Sequence, residues 1–312
     1  ELKKLYAAAG GANVMVCHEL RYAPLYTKIR QLLDAKELGT ILGVDMVEEI
    51  GNWHFAHSYV RGHWAKKETS GPISLTKTCN DFDLMQWLLD DEIVSLSSSV
   101  QPLRFIHKHA PISNVPKRCS SQCSIYDQCA YALDKAYLKD PFKDSHKAFM
   151  ARALDAQMRP SRIRQILSKT SFGNCVYRCD NNVADVQHTT LQTKGGVPIR
   201  FTMTARTSEM NRTIRITGTK GILEGNLKKA QLRRLDYLPQ TYRLSKTPGD
   251  NHGGGDERLM KDFVRMVRGQ QCRNATSLEV SLMSHVIAFA AEESRLQNKP
   301  ITLSSFKRKI FT

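Results

Sequence analysis

Between Ser74 and Leu89 the chain reads S-L-T-K-T-C-N-D-F-D-L-M-Q-W-L-L, which collects ionisable and amide side chains where an amphipathic helix should begin. Asn80 is expected as the helix N-cap, with Asp83 three residues on completing a capping-box pattern. Asp81 and Asp83 then fall in the first turn, where the helix dipole favours negative charge. Lys77 precedes the cap, so its ammonium, read as the end of a short strand, projects beside a partly positive helix start. Such a place favours oxygen-rich or anionic ligands and suits a lysine to proton chemistry. The competing reading is a solvated lysine and an asparagine that only caps.

A second concentration of chemistry lies in residues 51 to 73, expected as a long loop: Trp53, His54, His57, Tyr59, Arg61, His63 and Trp64. Loops with this content carry function when a rigid scaffold holds them. One H-x2-H pair at His54 and His57, with no third ligand close in sequence, is weak as a metal site, and hydrogen-bonding or core histidines are the plainer reading. Arg61 before Gly62 is either an anchor for a carboxylate, phosphate or polyhydroxyl ligand or one half of a salt bridge. Cys119, Cys123 and Cys129 form C-x3-C-x5-C, which is not a standard zinc or iron–sulfur spacing. A closed zinc site would need a fourth ligand such as Cys175, Cys179 or a distant histidine. They are read as structural thiols, and no metal is expected.

The elements that must position these groups belong to a 312-residue chain, 41% hydrophobic and 24% charged, which is ordinary globular composition with room for one large domain or two. Eight cysteines are too few for a disulfide scaffold. No run approaches the ~18 apolar residues needed to span a bilayer, and residues 1–10 do not read as a secretory signal, so a soluble cytoplasmic protein is expected. A net charge of +16 raises nucleic acid as a partner. The basic residues are dispersed, however, with no zinc finger, basic zipper or aromatic-interleaved RNA signature, so nucleic acid is not expected.

In chain order, residues 1–9 read as the end of a helix and Ala12 to Cys17 as a buried strand. Pro24 opens a helix with Leu25, Ile29, Leu32 and Leu33 at helical spacing, Ile41 to Glu49 has strand composition, and Ile93 to Val100 is another strand. Residues 101–170 are irregular, with helical stretches at Tyr131 to Leu138 and His146 to Leu154 and a basic one after Pro160, and look like an insertion. From Cys175 the hydrophobic period becomes two: Val183 to Thr193, Val197 to Thr207, Thr213 to Thr217, Gly221 to Asn226 and Gln231 to Leu235 are strands joined by short turns, hence mainly antiparallel. The loop N-H-G-G-G-D, Asn251 to Asp256, opens a helix over Glu257 to Arg268, and Leu278 to Gln297 is the last helix before a short extended tail. No G-x-G-x-x-G and no G-x-x-x-x-G-K follows any strand.

With these residues in order, the chain resembles the Gfo/Idh/MocA family, the oxidoreductases typified by glucose-fructose oxidoreductase and inositol dehydrogenase. The resemblance is carried by H-E-L-R-Y-A-P at His18 to Pro24, W-H-F-A-H-S-Y-V-R-G-H-W at Trp53 to Trp64, and the L-T-K-T-C-N-D-F-D turn. R-C-S-S-Q-C-S-I-Y-D-Q-C-A-Y at Arg118 to Tyr131, R-I-T-G-T-K-G at Arg215 to Gly221, H-G-G-G-D at His252 to Asp256 and S-H-V-I-A-F-A-A-E-E-S-R at Ser284 to Arg295 continue it. It implies an α+β fold with a large, mainly antiparallel open sheet covered by helices on one face. Residues 1–17 would be the last helix and strand of a Rossmann domain, and 18–312 the substrate and oligomerisation domain, with the Cys-containing insertion at about 101–170.

The resemblance further implies NAD or NADP as cofactor, a sugar, polyol or related hydroxy compound as substrate, and a homo-oligomer formed through the sheet. It makes Lys77 and Asn80 the catalytic positions, Arg61, His57, Asp81 and His252 the substrate-binding ones, and Arg21 a cofactor contact. Two departures stand out: the glycine-rich fingerprint and the E-K-P segment are absent, and the turn that relatives write K-x-C-H-D-x-D has Asn80 where they keep a histidine base. An amide cannot act as that base. The chain is therefore expected to be the substrate-side portion of an oxidoreductase, inactive in isolation; the alternative is a non-catalytic relative that binds sugar-like ligands or assembles through its sheet.

Overall fold

The computed structural model describes residues 14–101, 103–139, 145–229, 231–236, 238–245, 252–272 and 274–311, together with Lys4, Ala7 and Ala8. Among these residues nine strands make one sheet: β1 (Ile41–Glu49), β2 (Ile93–Val100), β3 (Val186–Thr193), β4 (Pro198–Thr204), β5 (Asn211–Gly218), β6 (Gly221–Asn226), β7 (Gln231–Leu235), β8 (Gln240–Arg243) and β9 (Ile301–Thr302). Their order is β8-β7-β6-β5-β1-β4-β3-β2-β9. Every pairing is antiparallel except β1 with β4. Among the described residues, seven α-helices of nine residues or more accompany them: α1 (Pro24–Asp34), α2 (Cys79–Leu89), α3 (Ser145–Leu154), α4 (Pro160–Lys169), α5 (Asp256–Val267), α6 (Leu278–Gln297) and α7 (Leu303–Phe311).

Strand alternation sorts the sheet into two faces. On one, Val44 and Met46 of β1, Ile199 and Phe201 of β4, Ile214 and Ile216 of β5 and Leu223 of β6 are buried, and they share one core with Leu25 and Ile29 of α1, Leu84, Met85 and Leu88 of α2, and Val286, Ile287 and Ala290 of α6. Phe82 of α2 meets Phe201 edge-on at 5.4 Å. Burying one such ring is worth about 1.5–3 kcal/mol. Pro24 sits at the first position of α1, where its fixed φ is already helical and its missing N–H costs nothing. Gly225 lets α1 approach, because a Cβ there would lie 2.9 Å from Ile214 and 3.2 Å from Leu25. The other face carries a row of alternating charge, Arg233, Glu224, Arg215, Asp45 and Arg200, with Arg215 2.8 Å from Glu224 and Arg200 3.0 Å from Asp45.

The α+β class and the one-sided open sheet match expectation, and several local expectations are corrected. The last part of the anticipated first strand, Val14–Cys17, has no strand structure, and the rest of the residue 1–17 unit lies mostly outside the described residues. Residues 51–73 are helical turns rather than a loop: Asn52–Phe55, a π-helical Ala56–Arg61, Lys67–Ser70 and Ile73–Thr76. The cause is aromatic packing, since Phe55 stacks on Tyr59 at 5.4 Å and Tyr59 on Trp64 at 5.2 Å, with Phe55 and Tyr59 fully buried. The tail contains β9 and α7, not only extended chain, and β8 was not anticipated. In the 101–170 insertion, Tyr137, Met150, Ala151, Ile163 and Leu167 form a small separate core.

Candidate active site

Lys77 follows the Ile73–Thr76 turn rather than a strand, and the N-cap of α2 is Thr78, whose hydroxyl donates to Ser74 O at 3.1 Å. Asn80 therefore lies in the first turn of α2 and makes no cap, and Asp83 completes no capping box. Asp81 in that turn and Asp83 just after it are drawn to arginines instead. Arg21 grips Asp83 through Nε at 2.6 Å and Nη2 at 2.7 Å, a bidentate pair that fixes the His18–Pro24 segment on α2. Arg212 of β5 donates from Nε to Asp81 Oδ1 at 2.8 Å.

Glu48 closes the cluster. It occupies the inward position of β1 next after Val44 and Met46, directly across from Arg212 in the β1–β5 register. Its Oε2 faces Arg212 Nε as an ion pair, and Lys77 Nζ lies 3.3 Å from Oε1. Two acids and two bases thus form a charge-balanced group beneath the start of α2; one alone would be costly to bury. Glu48 is 1% exposed, and burial pushes its carboxyl up to about 7 against the pull of Arg212 and Lys77. Lys77 keeps 16% exposure. It is the member of the group that solvent or a ligand can reach, as Glu48, Asp81 and Arg212 are all below 9%.

Beside this group runs a second polar chain. His18 Nδ1–H donates to Asn80 Oδ1 at 2.7 Å, Asn80 Nδ2 donates to Glu19 Oε1 at 2.8 Å, and His252 Nε2 lies 3.4 Å from the same Glu19 oxygen. Burial lowers the His18 pKa, so its neutral ring accepts at Nε2 from the Ser281 hydroxyl, 2.9 Å away. His252 is also bonded to Asp256 Oδ1 at 2.8 Å. The glycine run makes this approach possible: Gly253 has φ +69, and a Cβ on Gly255 would stand 2.2 Å from Glu19 O.

The sequence-derived residues thus fall into three places. Lys77, Asp81, Asn80 and His252 gather at the start of α2, although Asp81 is fully buried under Arg212. Arg21 is close by but has its donors on Asp83, with its guanidinium 5.8 Å from the Trp87 ring centre. Arg61 and His57 lie elsewhere: Arg61 donates to Asn174 O at 2.8 Å and Tyr131 O at 2.9 Å, and His57 shares a hydrogen bond with the Tyr137 hydroxyl at 2.9 Å. Among the described residues no hydrogen bond or ion pair joins these two to the Lys77 group.

Sequence reasoning passed over Glu48, Arg212 and His18. The signal for the first two was present, a charged residue at the position in V-D-M-V-E and in R-T-I-R-I where alternation calls for an apolar one. His54, read from the sequence as a hydrogen-bonding or core histidine, is buried with Nδ1 unpartnered; burial first, then Lys77 and His57, lower its pKa to about 3. Cys119 and Cys175 lie on segments paired through the Arg118–Asn174 bridge, and all eight cysteines are free thiols. Among the described residues no group of three or more His, Cys, Asp or Glu side chains is arranged to hold a metal ion, and no helix is long and apolar enough to cross a membrane.

Residues 26–224 match the GFO/IDH/MocA C-terminal domain. The chain belongs to the GFO/IDH/MocA family. Over 277 residues it is 24% identical to a Bacillus subtilis (strain 168) protein named "Putative oxidoreductase YteT", a match covering 82% of this chain and 61% of the relative. The chain thus spans about three fifths of that protein's length. Among solved structures it is similar to levoglucosan dehydrogenase in complex with NADH and levoglucosan, with TM-score 0.63 and 13% identity over 96% of this chain and 70% of that one. A Corynebacterium glutamicum myo-inositol dehydrogenase gives 0.56 and 14% over 97% and 70%, and a super-repressor mutant of Saccharomyces cerevisiae Gal80p gives 0.63 and 14% over 98% and 69%. At these identities the likeness is one of fold.

Proposed function

We propose that this chain is the substrate side of an NAD(P)-dependent oxidoreductase acting on a sugar, polyol or related hydroxy compound. The observation that carries the reading is the Lys77–Glu48 pair, a reachable ammonium 3.3 Å from a buried carboxyl whose pKa is pushed up to about 7. A substrate hydroxyl bonded to Lys77 can give its proton to the lysine as the lysine hands one of its own to Glu48 Oε1. The net result is transfer from the hydroxyl oxygen to Glu48, with Arg212 and Asp81 holding the acceptor in place. Asn80 and His252 orient the ligand and take no proton in this scheme.

The family-level cofactor is a nicotinamide dinucleotide, which would accept the hydride. The residues described do not fit that role by themselves: the sequence has no glycine-rich fingerprint, and the Nε and Nη2 donors of Arg21 are committed to Asp83. In this reading a dinucleotide-binding domain precedes these residues in the working protein, as the greater length of the relatives allows, and self-association uses the uncovered sheet face. Saturation-transfer NMR with levoglucosan and with myo-inositol tests the substrate side. Binding by the wild type that is lost in Lys77→Met supports it, and equal signals from both proteins would remove Lys77 from the site.

One observation favours a second reading, a non-catalytic ligand-binding relative. Asn80 is hydrogen-bonded on both sides and stands where relatives keep a base. Ligand binding that persists in Lys77→Met, with no hydride transfer when a dinucleotide domain and NAD(P) are supplied, would select it.

A further inference from the structure

Arg61 is 2% exposed, yet among the described residues no carboxylate lies within ion-pair distance of it. The other buried arginines are paired, Arg21 with Asp83 and Arg212 with Glu48 and Asp81. Main-chain oxygens of Asn174 and Tyr131 solvate the Arg61 guanidinium without cancelling its charge. A buried charge without a counter-charge is costly, so the arrangement calls for an anion.

The surroundings supply a place for one. Arg61 lines a cavity of about 580 Å³ that also carries Lys66, Lys117, Arg178 and Ser171. That volume lies in the range of small-molecule sites, roughly 300–1,000 Å³. The only carboxylate on its wall, Asp180, is held by Lys66 at 2.8 Å, and Lys117 and Arg178 have no ion pair among the described residues. The wall thus offers four cations against one acid, and among the described residues no hydrogen bond or ion pair joins Arg61 to the Lys77 group.

We propose that this cavity binds a small phosphate-bearing molecule, with Arg61 as the buried anchor and Lys117 and Arg178 closing on the anion from the rim. Guanidinium and ammonium groups lining one cavity are the recurrent recognition chemistry of phosphate. The lining residues do not include Lys77, Asn80 or His252, and the proposal stands whether or not the oxidoreductase reading holds.

Calorimetric titration with inorganic phosphate and with pyrophosphate, at an ionic strength held constant with chloride, is the test. The expected result is a single saturable site, tighter for pyrophosphate. The double variant Lys117→Ala/Arg178→Ala, folded by its melting curve, should weaken binding about tenfold, or ~1.4 kcal/mol. Lys307→Ala/Lys309→Ala removes the same formal charge from α7 and should leave the affinity unchanged, while Asp180→Asn should tighten it. No saturable uptake by the wild type, or equal weakening in the two double variants, overturns the proposal, the latter because only net charge would then be at work.

Discussion

Asn80 accepts a hydrogen bond from His18 Nδ1 at 2.7 Å and donates its own amide N–H to Glu19 Oε1 at 2.8 Å, so neither end of the amide is free to turn. Truncation by Asn80→Ala leaves a partly buried donor and acceptor unsatisfied, and should cost about 1–3 kcal/mol in urea denaturation. Asn80→His should cost less, because a neutral imidazole also presents one acceptor and one donor. A neutral outcome for Asn80→Ala would mean that the His18–Asn80–Glu19 chain carries no weight in the fold.

Removing one member of the four-charge group should be more severe than any exposed charge deletion. Arg212→Met leaves Glu48 and Asp81 buried together with Lys77 alone, and is expected to lose about 3–5 kcal/mol. Glu48→Gln should lose less, since Arg212 keeps Asp81, and should abolish a carboxyl titration near pH 7 visible by 13C NMR. If the wild type shows no carboxyl titrating well above the usual glutamate range, Glu48 is not the proton store described above.

Stability should respond to pH through the buried histidines. Burial, followed by neighbouring cations, lowers His54 to about 3 and His57 to about 4, from 6.5. The unfolded chain therefore binds more protons below pH 6.5, and stability is intact above that value and is lost as pH falls. Each ring withdraws about 1.4 kcal/mol per pH unit in that window. Glu48 acts in the opposite sense: its folded pKa is raised, so its contribution is present below 4.5 and is lost as pH rises through about 7. Between pH 6.5 and 4.5 it offsets one histidine. In urea titrations across that range His57→Gln should flatten the slope by about 1.4 kcal/mol per unit and Glu48→Gln should steepen it by a similar amount.

Gly255→Ala tests the loop that carries His252. The added Cβ would stand 2.2 Å from Glu19 O, a backbone atom that cannot swing aside. A loss of about 1–3 kcal/mol is expected, with a changed His252 environment by NMR. An unperturbed His252 resonance would show that the loop does not need this close approach.

The fold was largely legible because its elements are strongly periodic: β6, β7 and α6 fall where alternation or helical spacing puts them, and Pro24 marks the start of α1. The misses have physical causes. A π-helical turn at Ala56–Arg61 has no sequence signature, and the aromatic residues that read as a ligand loop are there because they form core. Thr78 occupies the N-cap position of α2 without a side-chain cap bond, and the Asn80 amide is claimed by His18 and Glu19, 61 or more residues away in sequence. Lys77 was visible from its place in the turn, but Glu48 and Arg212 become a pair only through the strand register. That register depends on turns the sequence marks only locally.

β1 sits at the middle of the sheet, between β4 and β5, though it is the first strand among the described residues. Both neighbours lie about 150 residues downstream, so during synthesis β1 emerges long before either edge can be satisfied. Contacts of this sequence separation slow folding, because a large loop must close before they form. Glu48 therefore waits for Arg212, and the carboxyl acquires its buried setting only when the central strand is finally enclosed. Proton-handling competence should appear late in folding, together with the last strands of the sheet rather than with α2.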